Sequence, residues 1–184
     1  MNWDLPLSVN IDGKDFYIRN KCEYRVVLDA MVALNDQNID EKTRIECALY
    51  IFFEDLDGCN NISEALKGMM SIINGGEKEQ NSAQEKPKLM DWEHDFKFIA
   101  PAVSKILGYD VRDTGKYTHW YSFLGAFMEI GECTFATIVS IRSKRIKGKK
   151  LDKFEEEFFR EHRNDVLLPQ KITADEQEIL DSPW

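Results

Sequence analysis

The spacing of apolar positions changes character along the chain, and each change predicts a different element. Residues 9–18, VNIDGKDFYI, are two short β-prone runs around Asp12 and Gly13, and an Asp-Gly pair supplies the positive φ angles of a tight hairpin turn. From Tyr24 the period becomes helical: Val27, Ala30, Met31 and Leu34 fall near i, i+3, i+4 and i+7 on one apolar face, until Asn35 and Asn38 interrupt it. Asp40 is expected to cap a second helix, with Glu41 at the positive end of its dipole and Ile45, Leu49, Phe52 and Phe53 as the buried stripe. Asn61, Ser63 and Glu64 open a third, in which Leu66, Met69, Met70 and Ile73 keep the period until Asn74, Gly75 and Gly76 stop it.

The next stretch, residues 77–88 (EKEQNSAQEKPK), has too little apolar surface to offset the entropy of ordering and is expected to be a mobile linker. Helical spacing resumes at Phe96, Ile99, Ala100, Val103, Ile106 and Leu107, ending at Gly108. Pro101 allows two readings: a helix starting near Phe98 with the proline close to its first turn, or one starting near Asp91 and kinked, which is preferred. Asp113 or Thr114 is expected to cap a helix carrying Trp120, Phe123, Leu124 and Phe127 and closing near Gly131, followed by one carrying Phe135, Ile138, Val139 and Arg142. Residues 151–163 place Phe154, Phe158 and Phe159 on one face. Pro169 ends the compact part, and Thr173 with Glu176 marks a short helix that needs a docking surface to persist. The expected fold is mostly α, a helical bundle-like structure with a short N-terminal β-hairpin and a flexible central linker. Its parts are the hairpin plus helices over 1–75, the linker over 76–90, a helical region over 91–169 and a tail over 170–184, within one structural domain.

With 184 residues, 43% of them hydrophobic, the chain can bury one sizeable core. A formal net charge of -9 argues against sequence-independent binding of nucleic acid, which relies on a surplus of Lys and Arg. No apolar run approaches the roughly 20 residues that span a bilayer, and residues 1–7 lack a signal-peptide pattern, so a cytosolic protein is expected. Cys22, Cys47, Cys59 and Cys133 form no CxxC pair and have no His at ligand spacing, so they are read as reduced thiols, most of them filling core space.

Catalytic chemistry has little to work with. His94, His119 and His162 are the only histidines, none lies in a metal-binding motif, and there is no phosphate-cradling glycine loop or nucleophile elbow. Asp55 and Asp57 are two among 33 carboxylates and read as solvated surface. No cofactor, no metal and no enzymatic activity are expected. The basic run over residues 142–153, RSKRIKGKKLDK, could hold nucleic acid, but its cations also complement a helix C-terminus and are followed at once by Glu155, Glu156 and Glu157. His119, Trp120, Tyr121, Phe123 and Phe127 put more large rings into nine residues than one helix face holds. A helix buried on two sides is preferred over an exposed protein-binding patch.

The order of segments LPLSVNIDGKDFYI, ALYIFFEDL, a polar linker, DWEHDFKFIAPAV, GYDV, HWYSFLGAF and FATIVSIRS resembles the small tail proteins of long-tailed phages and prophages of Gram-positive bacteria, encoded between the major tail protein and the tape measure. The likeness covers Leu5 to about Pro169 and rests mainly on residues 91–95, His119-Trp120 and Ile141-Arg142. Pro101 and the residues beyond Pro169 depart from the pattern. The resemblance implies a non-catalytic tail assembly chaperone in the bacterial host cytoplasm. Such a protein binds the tape-measure protein, could meet tail-tube subunits and could self-associate. His119, Trp120, Phe123, Phe127 and Arg142 are the candidate partner-binding residues. A nucleic-acid-binding or regulatory protein using residues 142–153 is the alternative.

Overall fold

The computed structural model describes residues 4–76 and 87–169. It is mostly helical, with one two-stranded antiparallel sheet at the N-terminus. The linker expected over 76–90 lies largely outside the described residues, and the expected helix after Pro169 lies wholly outside them. Packing divides the chain into two compact units. The described residues of the first are 4–76 and His119–Tyr121; those of the second are 87–118 and 122–169.

In the first unit, strands β1 (Ser8–Ile11) and β2 (Lys14–Tyr17) pair in register from Ser8 with Tyr17 to Ile11 with Lys14. The turn is the one expected: Asp12 and Gly13 both have positive φ, 51° and 84°, as a two-residue hairpin loop with the twist of its strands requires. Asn10 Oδ1 accepts from the Gly13 N–H. Helix α1 (Tyr24–Leu34) buries Tyr24, Val26, Val27, Leu28 and Ala30, residues on every side of its first half, whereas the expected Met31 and Leu34 are half-buried. Helix α2 (Glu41–Phe52) starts at Asp40, whose carboxylate accepts from the Thr43 N–H and hydroxyl. Helix α3 (Ile62–Ile73) is capped by Asn61 and lies against β1 so closely that a Cβ on Gly68 would meet Val9 Cγ1 at 2.2 Å.

Two helix C-termini in this unit are closed by side chains from elsewhere in the sequence, because their last carbonyls have no partner within the helix. Arg19 donates from Nε to Ile51 O (3.0 Å) and from Nη2 to Tyr50 O and Phe53 O (both 2.8 Å) at the end of α2. The Trp120 indole N–H is shared between Ile72 O and Ile73 O (3.0 and 3.1 Å) at the end of α3. Between these closures Asn20, Lys21 and Cys22 are all left-handed, with φ of 50°, 55° and 61°. For L-residues that conformation costs roughly 1–2 kcal/mol each. The turn is fixed by Cys22 N–H to Arg19 O (3.1 Å) and by Trp120 N–H to Cys22 O (2.8 Å).

In the second unit, α4 (Trp92–Leu107) is capped by Asp91, passes through Pro101 as one helix and stops at Gly108, φ 78°. Helix α5 (Trp120–Met128), which belongs to this unit from Ser122 on, begins later than Asp113 or Thr114. The Asp113 carboxylate instead accepts from Gly115 N–H within a separate turn. Helix α6 (Thr134–Ile146) is capped by the Cys133 sulfur, and α7 (Lys153–Glu161) by a reciprocal capping box between Asp152 and Glu155. A last short helix, α8 (Arg163–Val166), brings Val166 onto Ile138 and Ile141, with Phe98, Leu151, Phe158 and Phe159 packed around them. One reading of the thiols is corrected: only Cys22 is core, while Cys47 is exposed on α2 and Cys59 and Cys133 are half-buried in loop and cap positions.

Candidate interaction surface

The five residues singled out in the sequence fall into three packing environments. His119 and Trp120 belong to the first unit and are buried there. The His119 ring accepts from Tyr121 N–H at Nδ1 (3.0 Å), and Nε2 lies 2.9 Å from Pro6 O, so Nε2 carries the proton of the neutral ring. Phe123 is buried in the second unit beside half-buried Phe127; Trp92 packs against both rings at a tilt of 51°, and Phe127 meets Phe135 at 5.8 Å.

Arg142 and Asp95 form the third environment, 5% and 0% exposed at the side chain. All five guanidinium N–H groups have acceptors: Nε donates to Val166 O, Nη1 to Leu89 O and Asp95 Oδ2, and Nη2 to Asp95 Oδ1 and Asp165 O, over 2.7–3.0 Å. This paired fork gathers α4, α6 and α8. It also removes Arg142 from the exposed basic run. Lys144 is likewise bound by the Glu155 carboxylate at 2.6 Å, a hydrogen bond that holds the Glu155 carboxyl below its usual range. As arranged here, His119, Trp120, Phe123 and Arg142 offer a partner little side-chain surface.

Exposed apolar side chains lie elsewhere. Phe154, expected on the inner face of α7, is 67% exposed, because that face centres on Glu155 and Phe159 and leaves Phe154 at its edge. In the first unit Tyr50 and Tyr17 are 77% and 61% exposed. Tyr50 is on α2, offset from the inward Leu49 and Phe52, with the Arg19 guanidinium 5.6 Å from its ring centre. Tyr17 is tied to the chain leaving α2 by Glu54 N–H to Tyr17 O (3.0 Å). A cavity of about 150 Å³ lies alongside, lined by Lys14, Asp15, Phe16, Tyr17, Glu54, Asp55 and Asp57. Its one cation, Lys14, donates to Asp57 O at 2.8 Å and covers the Phe16 ring.

The sequence pattern does not mark Tyr17 or Tyr50 as exposed rings, or Asp95 as the buried partner of Arg142. Asp95 was visible in principle, since it precedes Ile99 by four and Val103 by eight and so occupies a core-facing position. Among the described residues no group of three or more His, Cys, Asp or Glu is placed to hold a metal, and no helix is long and apolar enough to cross a membrane.

The family model described as Bacteriophage Gp15 protein matches residues 1–168. The chain belongs to this family. It is therefore a bacteriophage-type protein, as the resemblance of its segments to phage tail proteins implied. Neither curated proteins nor solved structures provide a match. In this Gp15-family chain Arg142 and Asp95 are buried as a pair, and His119–Tyr121 pack with the first unit.

Proposed function

We propose that this Gp15-family protein is a non-catalytic tail assembly chaperone that binds the tape-measure protein in the host cytoplasm until tail-tube subunits assemble around it. The observation that carries the reading is apolar surface beyond what the cores need, with Tyr17 and Tyr50 exposed in one unit and Met128 and Phe154 in the other. A helical client is held by such anchors through residues spaced i, i+3, i+4 and i+7. Two of the three histidines are engaged with backbone groups, which supports a binding role over catalysis. His119 uses both ring nitrogens on backbone groups, and His94 donates from Nε2 to Asp165 O (3.1 Å).

The test is co-expression with the tape-measure protein of the same genome, followed by affinity capture and size analysis. A soluble, co-eluting tape measure is the expected result. An insoluble tape measure with nothing captured rejects the reading. Size analysis of the chain alone also tests self-association.

A further inference from the structure

We propose that the end of α2 together with β2 is a docking face for a partner helix that carries Lys or Arg beside its apolar residues. Two exposed rings, Tyr17 and Tyr50, supply the apolar contact. Around Tyr17, the acidic residues Asp15, Glu54, Asp55 and Asp57 are among those lining the cavity, with Asp15 Oδ1 accepting from Asn10 Nδ2 and Asp55 Oδ1 from the Asp57 N–H. Of the nearby cations, Lys14 lines the cavity and is bonded to Asp57 O, while Arg19 is bonded to the carbonyls ending α2, so the four acidic lining residues outnumber the one lining cation. The outward charge of the face is thus negative, and its complement is a cationic partner.

The backbone decides the form of that partner. Strand addition to β2 is disfavoured, because Glu54 N–H already occupies Tyr17 O at one end of its outer edge and the Lys14 side chain reaches across to Asp57 O near the other. Recognition therefore runs through side chains, as in helix-on-surface binding, with one partner cation entering the cavity and neighbouring apolar residues resting on the rings. The face is also preorganised, since the left-handed turn and the Arg19 fork fix both tyrosines' segments in place.

The identity of the partner as the tape-measure protein rests on the chaperone reading; the chemistry of the face does not. The probe is a synthetic amphipathic helical peptide with leucines at i, i+3, i+4 and i+7 flanked by lysines, with a counterpart in which glutamate replaces every lysine. Titrated against the full chain, the lysine peptide binds and the glutamate peptide does not. Binding weakens with salt. It falls about tenfold or more in Tyr50→Ser and in Glu54→Gln/Asp55→Asn/Asp57→Asn, while Lys147→Glu/Lys149→Glu in the other unit leaves it unchanged. All variants are checked for unchanged thermal unfolding. Equal binding by the tyrosine and carboxylate variants, or no binding of the lysine peptide, overturns the proposal. So does self-association that Tyr50→Ser abolishes, which makes a second copy the occupant. Capture of the tape measure that ignores these variants removes the face and leaves the chaperone reading; peptide binding that obeys them without tape-measure capture does the reverse.

Discussion

Arg142 shows how one side chain can be legible in the sequence and yet serve a different role. Its position at the head of a basic run suggested a surface cation, but its spacing from Ile138 is the i+4 spacing of a core position, and the core is where it lies. Truncation to alanine leaves the Asp95 carboxylate buried without its partner, an effect of about 3–5 kcal/mol. Arg142→Ala is expected to lose that much in urea unfolding, whereas replacing Arg142 and Asp95 together with Met and Leu recovers only the part due to the unpaired carboxylate, because the carbonyls of Leu89, Asp165 and Val166 still lose their donor. A loss below about 1 kcal/mol in the single variant contradicts a desolvated pair. The thiols differ in the same residue-by-residue way. Burial, partly offset by the hydrogen bond with Trp120, pushes the Cys22 thiol up to about 12. In native protein at pH 8, an alkylating reagent is expected to modify exposed Cys47 first and Cys22 only after denaturation, as read by peptide mass analysis.

At the scale of elements, periodicity located the hairpin and the helices well, because burial on one face and caps such as Asp40 and Asn61 are local properties of sequence. It failed where the deciding partner is distant. The start of α5 is an example: Asp113 has the chemistry of a cap, but the chain at His119 is held extended by its bridge to Glu23, so the helix begins only at Trp120. The Arg19 fork and the Trp120 indole at two helix ends are similarly nonlocal, at sequence separations of 32 and 48. The contact of α3 with β1 yields a direct test. Gly68→Ala improves intrinsic helix propensity, yet its methyl group collides with Val9, so a net loss of about 1–3 kcal/mol is expected in thermal or chemical unfolding. Unchanged or increased stability shows that the strand and helix can separate at no cost.

At the scale of the whole molecule, the exposed tyrosine face was the least legible feature, because exposure depends on what the rest of the fold covers. Tyr50 lies outside the stripe of Leu49, Phe52 and Phe53, so periodicity places it off the buried face, but whether another element covers it there is not a local property. Electrostatics of the second unit makes a prediction of the same scope. Lys144 holds the Glu155 carboxyl, and Lys97 the Asp165 carboxyl, below the ordinary values of 4.5 and 3.8. Lowered carboxyl values stabilise the fold above those ordinary values, and the benefit is lost as pH falls through the depressed ones. Thermal unfolding followed by circular dichroism is expected to show a plateau above about pH 5 and a decline below pH 4 that is smaller in Lys97→Met/Lys144→Met.

The insertion of His119–Tyr121 into the first unit also fixes when that unit can mature on the ribosome. Synthesis runs at about 5–20 residues per second, so the roughly 45 residues separating Gly76 from Tyr121 take about 2–9 s. Throughout that interval the carbonyls of Ile72 and Ile73 lack their indole donor and the left-handed turn lacks its outer hydrogen bond. The nascent N-terminal portion must therefore wait in an incomplete state, open to whatever meets it, until translation has passed Tyr121.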